Sequence, residues 1–243
     1  MPDLTNLRRV PETWQKALAV VAHPDDLEYG TASAIARWTN MGKQVMYLLA
    51  TRGEAGIDSM EPESVGRIRE IEQRNSAMIV GVDNVEFLDY PDGVIEYGLD
   101  LRRDIARAIR RHRPDVLITV NHHPTWGGEV LNMADHRWVG LAALDAARDA
   151  GNRWVFPELL ADGLEPWRDI QYIFTSGSPY LTHAIDVTDF MDKVVESLEA
   201  HRVYIDNLPD KANPDEFLRW IAAAVGERFG CEYAVGFEIT RIN

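Results

Sequence analysis

Apolar residues fall along the chain in two alternating periods. Ala17–Ala22 (ALAVVA) is a short continuous apolar run, as expected of a strand buried on both faces, and Thr31–Met41 after it has helical spacing that Gly42 closes. Val45–Ala50 repeats the strand pattern, and Glu63–Val80 reads as a helix with Val65, Ile68, Ile71, Met78 and Ile79 on one face, ended by Gly81. Val85–Leu88 is a third, shorter strand. Leu101, Ile105, Ala108 and Ile109 predict a helix that Pro114 terminates ahead of a fourth strand, Val116–Val120. Ala134–Ala150 predicts a helix followed by Gly151, Ile170–Phe174 and Ala184–Val187 predict strands, and Phe190–Ile205 and Glu216–Phe229 predict helices. Strand and helix alternate throughout. The expected fold class is therefore α/β, an open, mostly parallel sheet with helices on both faces.

Composition narrows the class. With 46% hydrophobic and 26% charged residues in a 243-residue chain, disorder and fibre are excluded and one large core is affordable. No linker, repeat or low-complexity tract divides the chain, so a single domain over residues 1–243 is expected. The excess of 39 Asp+Glu over 25 Lys+Arg, a net charge of −14, disfavours nucleic acid and anionic membranes as partners. Most of the six arginines between Arg102 and Arg113 are expected to form a solvated helix face with intrahelical ion pairs. The N-terminal stretch Met1–Lys16 is polar and broken by Pro2 and Pro11, and no apolar run approaches the roughly 20 residues of a membrane span, which points to a cytoplasmic protein. A lone Cys231 rules out an intramolecular disulfide and a Cys-rich zinc cluster. Any metal must then be held by His and carboxylates.

In an open parallel sheet, ligands bind beyond the carboxyl ends of the strands. The first strand runs into Ala22-His23-Pro24-Asp25-Asp26-Leu27-Glu28, one imidazole and three carboxylates together. His23 and Asp26, three apart, point to one side if the chain turns helical after Pro24, with Asp25 directed elsewhere: two ligands and one free carboxylate. Helix capping accounts for one of these Asp residues but not for the cluster. The fourth strand ends in Asn121-His122-His123-Pro124, followed by Trp126-Gly127-Gly128 and, opening the next helix, Asn132-Met133-Ala134-Asp135-His136. A histidine from this end, with ligands from the first loop, completes the three-ligand shell of an open zinc site. Asp135 beside it reads as a partner of a metal ligand or a helix cap. No dinucleotide, Walker A, serine-elbow or zincin string is present.

His23-Pro24-Asp25-Asp26, Thr51-Arg52-Gly53-Glu54-Ala55-Gly56, Tyr90-Pro91-Asp92-Gly93 and Ala134-Asp135-His136 occur in this order, with Arg69-x-x-Glu72 leading to Gly81-Val82, and Asp186-Val187-Thr188 further on. Together, from about Lys16 to His201, they resemble the LmbE-like, or PIG-L, family of N-acetylglucosaminyl deacetylases. The resemblance implies a Rossmann-like sheet holding one divalent metal, usually zinc although another such as Fe2+ fits the same donors, and hydrolysis of an N-acetyl amide on an amino sugar. Matched position by position, it makes His23, Asp26 and His136 the metal ligands and Asp25 the general base that takes a proton from a metal-activated water. The implied partner is a small amino sugar or related amide; a homo-oligomer is compatible with the sequence.

Two departures stand out. Leu27 intervenes before Glu28, where the family usually has its glutamate directly after the second Asp. Met133 occupies the position where many members carry a histidine that assists the oxyanion or the leaving amine, which a thioether cannot do. His122 or His123 is the expected replacement, with Asn132 another candidate. His201 lies where members often have a histidine, but Val203-Tyr204 replaces the Ser-Gln that tends to follow. Arg52 and Glu54 are candidates to order the pocket or contact sugar hydroxyls, and Trp126 to stack on a sugar. Two other readings use the same metal ligands: a non-haem Fe(II) enzyme with a two-His-one-carboxylate triad, and a metal-binding protein that has lost catalysis, motivated by Met133.

Overall fold

A computed structural model describes residues 7–208 and 213–242; the Pro2 end of the polar N-terminal stretch lies outside the described residues. The strands are β1 (Arg8–Arg9), β2 (Lys16–Val21), β3 (Gln44–Leu49), β4 (Val85–Phe87), β5 (Val116–Val120), β6 (Tyr172–Ser176), β7 (His183–Asp186) and β8 (Ala234–Arg241). They form one sheet in the order β1-β7-β8-β6-β5-β2-β3-β4. Every neighbouring pair is parallel except those of β8, which runs antiparallel to β6 and β7. The helices are α1 (Asp26–Gly30), α2 (Ala32–Asn40), α3 (Pro62–Ile79), α4 (Leu99–His112), α5 (Ala134–Asp149), α6 (Glu158–Ala161), α7 (Met191–Glu199), α8 (Arg202–Asp206) and α9 (Pro214–Phe229). Among the described residues no helix is long and apolar enough to cross a membrane.

The unbroken apolar run of β2 is explained by burial on both sides. Ala17, Ala19 and Val21 join Trp38 of α2, Leu198 of α7 and Ala222 of α9 in one core. Leu18, Val20 and Ala22 join Ile105 and Ile109 of α4 and Ala143 of α5 in the other. The period of 2 along a strand sends alternate residues to opposite layers, so neither can be polar. From β2 the sheet extends through β3 and β4 on one side and through β5 and β6 on the other. The carboxyl ends of β2 and β5 therefore flank the switch point, where sheets of this kind place their ligand crevice.

Three sequence expectations are corrected. The inward face of α3 is not Ile71 and Met78, both 61% exposed; it is Val65, Arg69, Glu72, Gln73, Ser76 and Ala77, a helical stripe that is mostly polar because it faces the strand-end loops. The single helix expected over Phe190–Ile205 is two, α7 and α8, with a break at His201 (φ −81°, ψ 47°). There the buried Glu72 carboxylate accepts the Val203 N–H at 2.5 Å, holding the start of α8 against α3. The periodicity reading places no strand over residues 234–241, where Gly236 interrupts the pattern; it lies against Leu181, whose Cδ1 would be 2.6 Å from an added Cβ.

The basic run on α4 is ion-paired, but only partly within the helix: Arg103 pairs with Asp100 and Arg107 with Asp104, whereas Arg102 reaches Asp149 of α5 and Arg111 reaches Glu86 of β4. Arg110 differs. Buried, it donates to the carbonyls of Ala150, Asn152 and Val155 at 3.1, 2.8 and 3.0 Å and so ties down the chain after α5.

His183, buried in β7, gives the fold a pH dependence. Burial, with Arg8 nearby, holds its pKa down to about 4, so the folded protein keeps it neutral where the unfolded chain, near its usual value of about 6.5, takes up a proton. Its contribution is complete above pH 6.5 and is lost as pH falls towards 4, at most about 3 kcal/mol. Urea unfolding at pH 7 and pH 4 is expected to show a smaller acid loss in His183→Gln than in the wild type; equal losses would remove His183 as a cause.

Candidate active site

β2 delivers His23 to the crevice, and the chain then turns sharply. Asp25 sits at φ 86°, ψ −19°, in the left-handed region, and α1 begins at Asp26. For a residue with a Cβ this conformation costs about 1–2 kcal/mol, so its surroundings must hold it. Asp25 occupies the N-cap position of α1 yet makes no side-chain cap. The capping explanation therefore fails for it; its Oδ1 lies instead 3.3 Å from Arg69 Nη2.

His23, Asp26 and His136 converge as the sequence suggests. Asp26 Oδ2 accepts the N–H groups of Ala22 and His23, each at 2.9 Å, which leaves Oδ1 facing the imidazoles. His136 Nε2 lies 2.9 Å from that Oδ1 and 3.2 Å from His23 Nδ1, and His23 Nδ1 lies 3.7 Å from the same Oδ1. Tetrahedral ligands at about 2.0–2.1 Å from zinc stand about 3.3 Å apart, so the three separations fit one small cation. The far side of each ring is engaged too. His23 Nε2 faces Asp92 Oδ1 at 3.0 Å and Asp135 Oδ2 at 3.2 Å, and His136 Nδ1 faces Asn132 Oδ1 at 3.2 Å. Such partners fix ring orientation and tautomer, leaving His23 Nδ1 and His136 Nε2 turned towards Asp26 Oδ1, where both could meet one cation. His23, Asp92 and Asp135 form a second group of cation-binding composition, but it shares His23, and both carboxylates already accept backbone N–H groups from Ala55, Gly93 and Ile95.

The electrostatics favour a cation. Burial depresses the His23 pKa, but Asp135, Asp26 and Asp92 outweigh it and hold the imidazole well above its usual value. Burial alone would raise Asp26; the neighbouring His136 and His23 keep it far below the usual carboxylate range. For Asp25 burial prevails over the opposing Arg69 charge, and its carboxyl is raised. Two carboxylates side by side in the chain thus have opposite character.

Arg69 ties three segments together. Its guanidinium donates to Pro24 O at 2.6 Å and Gly53 O at 3.0 Å, faces Asp25, and lies 3.9 Å over the Tyr204 ring. The Thr51–Gly56 loop has glycines for this reason: a Cβ on Gly53 (φ 64°) or Gly56 would come within 2.2 or 2.5 Å of Arg69 Nη1. Tyr204, under the Arg69 guanidinium, is close enough to Asp25 that burial together with that carboxylate raises its pKa.

The remaining expected residues are arranged around this centre. Arg52 is bound to Glu70 at 2.7 Å and Asp89 at 2.6 Å, and Glu54 accepts the Arg52 and Asp92 N–H groups at 3.2 and 2.8 Å. Both brace the Asp92 loop, and neither bonds to the His23–Asp26–His136 set. Trp126, 38% exposed, stands edge-on to the His136 ring at 5.4 Å, over Gly177. His123 Nε2 lies 2.7 Å from Glu238 of β8, which also accepts from Ser178, and His122 packs on His123 with its buried Nδ1 unpartnered. Neither histidine bonds directly to His23, Asp26 or His136. Asn132 is removed as a free donor, since its amide nitrogen is committed to Asn121 O and His123 O and its oxygen to His136. Sequence reasoning did not find Gln73, Tyr204 or Glu238, and assigned no role to Arg69 and Asp92 beyond their motifs.

Comparison with known proteins shows the family and the fold. The family model for PIG-L, GlcNAc-PI de-N-acetylase, matches residues 18–147. A diacetylchitobiose deacetylase from Thermococcus kodakarensis is 28% identical over 227 residues, covering 91% of this chain and 82% of that protein. A probable N-acetyl-alpha-D-glucosaminyl L-malate deacetylase from Bacillus anthracis is 30% identical over 192 residues, covering 76% and 79%. The solved N,N'-diacetylchitobiose deacetylase of Pyrococcus horikoshii, in complex with an inhibitor, superposes with a TM-score of 0.86 at 27% identity, over 95% of this chain and 85% of that one.

Proposed function

The chain belongs to the PIG-L family, and from that premise we propose that it is a metal-dependent N-deacetylase, hydrolysing the N-acetyl or a related acyl amide of an N-acetylglucosamine-type substrate to a carboxylate and a free amine. The observation that carries the reading is the convergence of His23 Nδ1, Asp26 Oδ1 and His136 Nε2 beside a buried carboxylate, Asp25, that is not one of them. Support for the substrate class comes from the relatives that act on acetylated amino sugars.

His23, Asp26 and His136 hold the ion, for which zinc suits the donors and Fe2+ is the alternative. A divalent cation bound there supplies Lewis acidity that polarises the amide carbonyl and acidifies water. Asp25, its basicity raised by burial, accepts the proton of the attacking water and returns it to the departing amine. Arg69, itself stacked on Tyr204, holds that carboxylate by the ion pair at 3.3 Å. The oxyanion donor is drawn from His122 or His123, which arrive from the β5 end, with His123 oriented by Glu238. Trp126 offers an aromatic face to the sugar beside His136, while Arg52 and Glu54 shape the pocket by holding the Asp92 loop. An Fe(II) oxygenase has no use for a free carboxylate at Asp25, so hydrolysis is the stronger reading.

A screen of N-acetylated sugars with metal-reconstituted protein, following acetate and free amine, tests this. Equimolar acetate and amine from N,N'-diacetylchitobiose or an N-acetylglucosaminide is expected. Absence of release from every N-acetyl sugar would overturn the reading.

A further inference from the structure

Beneath the crevice lies a buried polar network that the proposed chemistry does not use. Gln73, on the inward face of α3, accepts the Asp25 N–H at its Oε1 (2.9 Å) and donates from Nε2 to Glu28 Oε1 (3.0 Å). Ser76 donates to the same Glu28 oxygen at 2.6 Å, and Ser197 stands behind Ser76 at 2.7 Å. The side chains of Gln73, Glu28, Ser76 and Ser197 are all essentially out of solvent. An amide has a donating and an accepting end, and only the chemistry of its partners decides which faces which. Glu28 Oε1 receives a hydroxyl and an amide donor, so it must present an acceptor, which places the Gln73 carbonyl towards Asp25.

That direction matters because Asp25 is the one residue of the loop held at positive φ, 86°. In the left-handed conformation its N–H points into the protein, away from the turn, where Gln73 is its partner. Asp25 O accepts from Tyr29 at 3.1 Å, and Arg69 holds Pro24 O. The backbone is thus pinned on both sides of Asp25. The shift of the family's glutamate by one position, with Leu27 intervening, leaves Glu28 on the buried face of α1, where it meets Gln73 rather than the crevice.

We propose that Gln73, its amide oriented by Glu28, is the positioning residue of Asp25, fixing its left-handed backbone so that the carboxylate stands beside the metal ligands without joining them. The proposal rests on Asp25 as the base, but its structural half can be tested without that assumption. In a crystal structure of Gln73→Met, which keeps the length and loses both polar ends, Asp25 is expected to relax to negative φ. In the assay, kcat is expected to fall about tenfold or more, with KM within twofold and bound metal unchanged. Ser197→Ala removes a hydroxyl of the same network without reaching Gln73 or Asp25, and is expected to lower Tm while kcat stays within twofold.

If Gln73→Met behaves like Ser197→Ala, losing Tm alone with Asp25 still at positive φ, the proposal is overturned. Should Gln73→Met not fold, Gln73→Asn carries the same test, because an amide one methylene shorter cannot span from the Asp25 N–H to Glu28 Oε1. Retention of the Asp25 conformation and of kcat there would equally overturn it. If the wild type hydrolyses no N-acetyl substrate, the functional reading fails while φ at Asp25 in the variant still decides the positioning.

Discussion

Replacing Asp25 with Asn is expected to lower kcat for N-acetyl hydrolysis by about 10³-fold, within the range of about 10²–10⁴ seen for general acid–base groups, with bound metal unchanged. Asn keeps the shape and tolerates positive φ, so the substitution removes the proton acceptor and little else. The expectation follows from the geometry: Asp25 Oδ1 is 3.3 Å from Arg69 and is not among the three groups that converge on one another. Steady-state kinetics with metal analysis of the same preparation provides the check. Equal activity in the variant would sink the general-base role, and loss of metal would make Asp25 a ligand. The result also separates the rival readings, since an Fe(II) triad does not depend on this carboxylate and a protein that has lost catalysis shows no activity to lose.

His136→Ala is expected to abolish stoichiometric metal binding, because it removes one of the three proposed protein donors. Activity should disappear with the metal. Asp92→Asn and Asp135→Asn act one step further out, on His23 Nε2 at 3.0 and 3.2 Å, and are expected to weaken metal binding by about 10–100-fold without abolishing it. Competition with a chelator of known affinity reads this order directly. If His136→Ala retained one equivalent after dialysis, the ligand set would be wrong.

The strand-end loops were legible in the sequence because they are short-range features. An apolar strand followed by His23-Pro24-Asp25-Asp26 needs no knowledge of distant contacts, and in the structure His23 and Asp26 face His136 together while Asp25 is turned to Arg69. The route differs: Asp25 is turned aside by a positive φ rather than by a helix beginning after Pro24. What could not be read lies on α3 and β8. Arg69, Gln73 and Ser76 share the helical spacing of a buried face, yet a search for apolar periodicity passes over polar residues and selects Ile71 and Met78, which face solvent. Their burial is set by the strand-end loops they satisfy, separated by about 45 residues in sequence. Glu238 escapes notice for a related reason, since only the antiparallel insertion of β8 between β6 and β7 brings it to His123.

The metal requirement is read by adding metal back to metal-stripped protein while following acetate release. With Zn2+ or Fe2+, activity is expected to rise linearly and reach its plateau at one equivalent per chain, as a single site built from His23, Asp26 and His136 requires. A plateau at two equivalents would place function on a second ion at His23, Asp92 and Asp135, and full activity before any metal is added would contradict the account altogether.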